Sequence, residues 1–170
     1  MQYFLISLLA VLSTSVLANT DQNIPNNDSI ATLKAKSAIV ALNLIKDFEQ
    51  CSETPYYDSA GICTIGYGER CKGRKRLSCE KSEQNVMKYI QRDINVLEGY
   101  GFYKDDEFNA NQMGAVLSLT FNVGVDYFMS TSQNITEKKY WLSLSKSGGR
   151  TLKGLQRRRL KEFEAFNRTE

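Results

Sequence analysis

The segment NANQMGAVLSLTFNVG, residues 109–124, does most to limit how this chain can fold. Asn109 followed three residues on by Gln112 is a capping-box pattern, so a helix is expected to begin there. Met113, Val116, Leu117, Leu119 and Phe121 then leave that helix apolar on nearly every side. A helix without a polar face has to lie inside the molecule. Gly124 is its stop signal. The other elements must therefore wrap one central helix.

Suitable partners are legible on both sides of it. Ahead of the centre, Ala38, Ala41, Leu44, Ile45 and Phe48 form one apolar face. They predict a helix from Ile30 to Glu49, with Asp28 and Ser29 as cap candidates, and Pro55 forbids its continuation. Ser78 is placed to cap a second helix carrying Val86, Ile90, Ile94 and Leu97, ended by Gly99 and Gly101. Beyond the centre, a short helical piece is expected over 136–147, a break at Gly148-Gly149, and a last amphipathic helix over 152–166. Residues 56–69 differ. Aromatic and β-branched side chains flank the turn Asp58-Ser59-Ala60-Gly61, with Gly66 and Gly68 allowing tight bends, and this reads as a small hairpin. The class is α+β, mostly α.

The chain has 170 residues and 42% hydrophobic content, enough for one core. It has no His. Ser-His-Asp and Cys-His hydrolases and His-ligated zinc enzymes are therefore excluded, and any proton chemistry must rest on carboxylates, Lys, Tyr or Cys. The net charge of +3 suits adhesion to an anionic cell wall and does not identify a nucleic-acid binder. No cofactor or metal is expected.

Residues 1–18, MQYFLISLLAVLSTSVLA, hold no charged side chain and end in Val16-Leu17-Ala18, small at the positions a signal peptidase reads. The apolar run is short for a spanning helix and is broken by Ser7, Ser13 and Ser15, so a cleaved signal peptide is expected over 1–18, against an anchor that later releases. Residues 19–29 read as a disordered lead-in and 30–170 as one domain. The protein should be periplasmic or extracellular, monomeric, and free of stable membrane association once the signal is gone. In an oxidising compartment Cys51, Cys63, Cys71 and Cys79 read as two disulfides, for which three pairings are open.

Two carboxyls stand out. Glu49 ends an apolar helix beside Phe48, where partial withdrawal from water suits a general acid. Asp58 begins a polar turn, where a carboxylate stays ionised, and Thr64 on the returning strand could offer its hydroxyl to a water between them. Two carboxyls in contrasting surroundings are the minimum kit for glycoside hydrolysis. A helix-end Glu and a turn Asp are also common solvated choices, so the residues alone leave a purely structural reading open.

The stretch LIKDFEQCSETPYYDSAGICTIGYG resembles the signature of phage-type lysozymes: Glu, eight residues, Asp, five residues, Thr, then Ile-Gly-Tyr-Gly. Glu49, Asp58 and Thr64 meet that spacing without a gap. QMGAVLSLTFNVG (112–124) is similar to the family's central helix. GGRTLKGLQRRRLKE (148–162) is similar to its Gly-Leu-x-x-Arg-Arg-x-x-Glu, placing Gly154, Leu155, Arg158, Arg159 and Glu162. Two departures stand beside these. Glu69 occupies a position where the family often has His, and the chain is shorter than typical relatives between Ser130-Thr131 and Trp141.

The resemblance implies a lysozyme-like fold, with the hairpin beside an active-site cleft and a helical C-terminal lobe. It implies a muramidase whose partner is peptidoglycan, cut at the β-1,4 bond from N-acetylmuramic acid to N-acetylglucosamine. Glu49 would protonate the leaving oxygen while Asp58 and Thr64 place the water. Relatives that keep the Glu but lack the Asp and Thr act as transglycosylases, so the complete set favours hydrolysis. A lytic transglycosylase and a non-catalytic wall-binding module remain the alternatives.

Of the three cysteine pairings, Cys51–Cys63 with Cys71–Cys79 is favoured, because the first bridge would tie the helix end bearing Glu49 to the strand bearing Thr64. Arg157-Arg158-Arg159 reads as a solvated helix face, with contact to the Glu49 region or to wall polyanions as the alternative. Lys72 to Arg76 reads the same way. Tyr56, Tyr57 and Tyr67 suit hairpin packing or sugar stacking equally.

Overall fold

The computed structural model describes residues 27–58, 61–104 and 107–169, so the expected signal peptide and residues 19–26 of the lead-in lie outside the described residues. Six α-helices, a single 3-10 turn (Ser132–Asn134) and two small antiparallel sheets are described: α1 (Asn27–Glu49), β1 (Ser52–Tyr57), β2 (Cys63–Gly66), β3 (Glu69–Arg70), α2 (Cys79–Gly99), α3 (Ala110–Val123), α4 (Val125–Thr131), α5 (Lys138–Ser143), β4 (Lys146–Ser147), β5 (Arg150–Thr151) and α6 (Lys153–Phe166). The architecture is α+β, a helical body with a three-stranded sheet at one corner.

Helix α3 is the centre. The Asn109 side chain accepts from the Gln112 backbone at 2.9 Å and the Gln112 side chain accepts from the Asn109 backbone at 2.9 Å, closing the capping box. Every residue from Met113 to Thr120 is buried. Helix α1 crosses it closely: a Cβ on Gly114 would meet Val40 Cγ1 at 2.4 Å and the Ser37 carbonyl at 3.0 Å. Only glycine admits that approach. Helix α6 packs on another side of α3, and Trp141 of α5, fully buried, fills the space against Phe163 and Phe166 while its indole N–H donates to the Ile135 carbonyl at 2.7 Å.

Several boundaries differ from the sequence reading. Helix α1 starts at Asn27, so Asp28 and Ser29 lie inside its first turn. That turn is polar, and apolar periodicity does not register it. The end of α1 at Glu49 is as expected, and the local stop is Gln50, which takes a left-handed conformation (φ 46°) ahead of Pro55. Pro55 itself sits within β1, where the register slips between Ser52 and Tyr56, a place where a missing N–H breaks no ladder bond. The hairpin gains a third strand, β3, too short for any alternation to reveal. The expected helix over 136–147 is only α5, and Gly148-Gly149 forms the turn of the β4–β5 hairpin.

The favoured cysteine pairing is wrong. The bridges are Cys51–Cys79 and Cys63–Cys71. Strand register explains the second: Thr64 faces Arg70 and Ile65 faces Glu69, so Cys63 and Cys71 fall opposite each other, with Cys71 N–H donating to the Cys63 carbonyl at 2.9 Å. The first follows from a seam in which Leu77 N–H donates to the Glu53 carbonyl at 3.0 Å, laying the start of α2 along β1.

Candidate active site

Glu49 ends α1 with its side chain a quarter exposed, and its two oxygens have different neighbours. Oε1 is ion-paired with the Arg158 guanidinium of α6. Oε2 faces the β2–β3 turn, where a Cβ on Gly68 (φ 84°) would come within 3.0 Å of it. Glycine at that turn therefore lets the sheet close down over the carboxyl.

Arg158 corrects the solvated-face reading of the arginine run. Arg158 and Arg159 are buried, and only Arg157 of the three is exposed. Arg158 Nε donates to Glu162 Oε1 at 3.1 Å, Nη2 to the Ser118 carbonyl at 3.3 Å, and its guanidinium lies 5.1 Å over the Phe48 ring. Arg159 pairs with Glu162 Oε2 at 2.8 Å, and the Ser118 hydroxyl donates to Glu162 Oε1 at 2.8 Å. Burial holds the Arg159 guanidinium down to about 10 and pushes the Glu162 carboxyl up against the pull of both arginines. One turn of helix brings residues 158 and 159 over 162, so the i+4 and i+3 spacing was the signal that could have revealed this network.

Asp58 closes the β1–β2 turn. Its Oδ1 accepts from Ile62 N–H at 2.9 Å and its own N–H donates to the Ile62 carbonyl at 3.0 Å. Thr64 is buried on β2, cross-strand from Tyr56 and Arg70, and its hydroxyl donates to the Ile62 carbonyl at 3.0 Å. Tyr56, on β1, is 38% exposed, and its phenol is held above its usual range by burial first, then by the carboxylates of Glu49 and Asp58. Both carboxyls thus act on the same ring. Tyr67 is buried, whereas Tyr57 is 76% exposed.

An open cleft of about 860 Å³ runs between the sheet, α2 and the end of α3, with Glu49, Gly68, Glu69, Tyr89 and Phe121 among its lining residues. Glu49 lines it; Asp58 and Thr64 are not among the lining residues. Glu69 stands where the resemblance leads one to expect His. It is 11% exposed and accepts from Ser82 Oγ at 2.8 Å, Asn85 Nδ2 at 3.0 Å and Arg74 Nη1 at 3.1 Å, pinning β3 to α2. Sequence reasoning gave Glu69 no such role. Among the described residues no group of three or more His, Cys, Asp or Glu could hold a metal ion, and no helix is long and apolar enough to cross a membrane.

The phage lysozyme family model matches residues 46–162. A SAR-endolysin of Haemophilus phage HP1 (strain HP1c1) is 29% identical over 72% of this chain and 76% of its own length. In fold, the chain is similar to the muramidase domain of SpmX from Asticaccaulis excentricus (TM-score 0.62, 22% identity, 76% of this chain and 95% of that one). It is similar also to the active form of the P1 phage endolysin Lyz (TM-score 0.60, 20% identity, 81% and 92%). The family model covers the stretch from the last turn of α1, through the sheet and α3, to the buried Glu162. The chain belongs to the phage lysozyme family, and so to the enzymes that break down bacterial cell wall.

Proposed function

We propose that this enzyme is an N-acetylmuramidase that hydrolyses the β-1,4 bond between N-acetylmuramic acid and N-acetylglucosamine. The observation that carries the reading is the split surroundings of Glu49 at the cleft, Oε1 tied to Arg158 and Oε2 turned toward the sheet. In this reading Arg158 fixes the rotamer and Oε2 delivers the proton to the leaving oxygen, so Glu49 acts as general acid. Asp58 is the second carboxyl, and Thr64, whose hydrogen is directed to the Ile62 carbonyl, would accept from the water through its oxygen's lone pairs. Hydrolysis by direct water attack inverts the anomeric carbon and needs about 6.5–9.5 Å between the carboxyl groups to hold that water.

Product analysis tests this reading. Digests of purified peptidoglycan should contain muramic acid with a free reducing end. A 1,6-anhydro product would replace hydrolysis with transglycosylation on the same site.

We further infer export. Residues 1–18 carry the apolar, uncharged pattern of an export segment, and the HP1 phage relative is named a SAR-endolysin, a name that denotes a signal-anchor-release region. N-terminal sequencing of the periplasmic protein separates cleavage, with Asn19 first, from release of the intact chain with Met1 retained.

A further inference from the structure

The cleft carries more positive charge than its own carboxylates use. Five cations line it: Arg70 and Lys72 from β3 and the following loop, Arg74, and Lys88 and Arg92 from α2. The α2 contribution is a consequence of helix geometry, since Asn85, Lys88, Tyr89 and Arg92 fall at i, i+3, i+4 and i+7 and present one face to the cleft. The lining carboxylates, Glu49 and Glu69, are held by Arg158 and by Arg74, Ser82 and Asn85. Arg92 pairs with Asp93 at 2.8 Å and lies 5.3 Å over the Tyr89 ring. Arg70, Lys72 and Lys88 remain, all exposed, and form no ion pair among the described residues.

A neutral amino-sugar chain has no use for such a row. The anions on peptidoglycan are the free carboxylates of the peptide stems attached to its muramic acid residues. We infer that Arg70, Lys72 and Lys88 bind these stem carboxylates, making the enzyme selective for glycan strands that carry peptides. The inference rests on the muramidase reading for its substrate and adds what selects it. Exposed pairs are individually weak and screened by salt, so the three should act together and fade as ionic strength rises.

Strand binding provides the test, measured by fluorescence anisotropy with the exported protein carrying Glu49→Gln so that nothing is cut. The probes are labelled peptide-bearing strands and the same strands with their stem carboxylates converted to amides. Changing Arg70, Lys72 and Lys88 together to Gln should weaken binding of the native strands about tenfold at low salt. The amidated strands should bind parent and variant alike, within about twofold. Changing Lys36, Lys138 and Lys153 to Gln removes the same net charge away from the cleft and should leave native binding within about twofold. Equal weakening on native and amidated strands, or equal weakening by the remote triple, would overturn the inference. Should charge-dependent binding hold while the active enzyme releases no reducing-end muramic acid, the muramidase reading falls and the stem-binding row stands.

Discussion

Glu49 lies where two differently built regions meet. On the helical side, α3, α4, α5 and α6 bury Met113, Phe128, Trp141, Phe166 and their neighbours in one large core, and even the charges of Arg158, Arg159 and Glu162 are buried. On the other side the sheet has a separate core of only Ile65, Cys71 and Leu77, backed by Cys63. So few buried apolar groups cannot hold three short strands against chain entropy, and two disulfides do the work instead. The contrast teaches that the acid's two oxygens are positioned by different physics: packing and buried charge fix Oε1, covalent staples fix the turn that faces Oε2.

The largest effect should come from breaking the buried charge network. Glu162→Gln leaves two buried guanidiniums without their shared carboxylate and should lower stability by about 3–5 kcal/mol, read by urea denaturation. Reducing agent should act on the other region. In the chain-entropy treatment the bridges spanning 28 and 8 residues contribute about 3.6 and 2.5 kcal/mol respectively. Reduction should therefore abolish activity while the near-ultraviolet signal of the one tryptophan, Trp141 in the helical core, persists. Simultaneous loss of both would show that the regions are one cooperative unit.

Gly114→Ala probes the helical side more gently. It forces apart α1 and α3 where Val40 and the Ser37 carbonyl leave no room, and should cost about 1–3 kcal/mol in thermal or urea melts. The smallest effect belongs to the sheet seam. The Arg76 guanidinium beside Glu53 holds its carboxyl below the usual range, so the pair stabilises the fold above the ordinary Glu range and that contribution disappears as pH falls through the lowered value. The Tm gap between wild type and Arg76→Gln, small at neutral pH, should close in acid.

The same contrast governs what the sequence reveals. Helix α3 is legible because its capping residues and apolar run are local, and the Ser78 cap of α2 is legible for the same reason, its side chain accepting from Lys81 N–H. The arginine run misleads, because three adjacent cations look like a solvated face; the spacing to Glu162 hints at an intrahelical pair, but not that the pair is buried or that Arg158 also reaches Glu49 of a distant helix. The cysteine pairing misleads because it depends on cross-strand register, and β3 is only two residues long. Helix α4, seven residues between two breaks, is too short for periodicity to register. Glu49, Asp58 and Thr64 come from motif spacing, and the geometry adds partners for Glu49 Oε1, Asp58 Oδ1 and the Thr64 hydroxyl.

The central claim is that Glu49 donates the proton, and the rate of peptidoglycan cleavage by Glu49→Gln tests it most directly. Gln keeps the shape and can still meet Arg158 through its carbonyl, so the variant should fold and bind strands, yet cleave at least about a hundredfold more slowly than wild type. A variant that retains more than about a hundredth of the wild-type rate would contradict general-acid catalysis by Glu49.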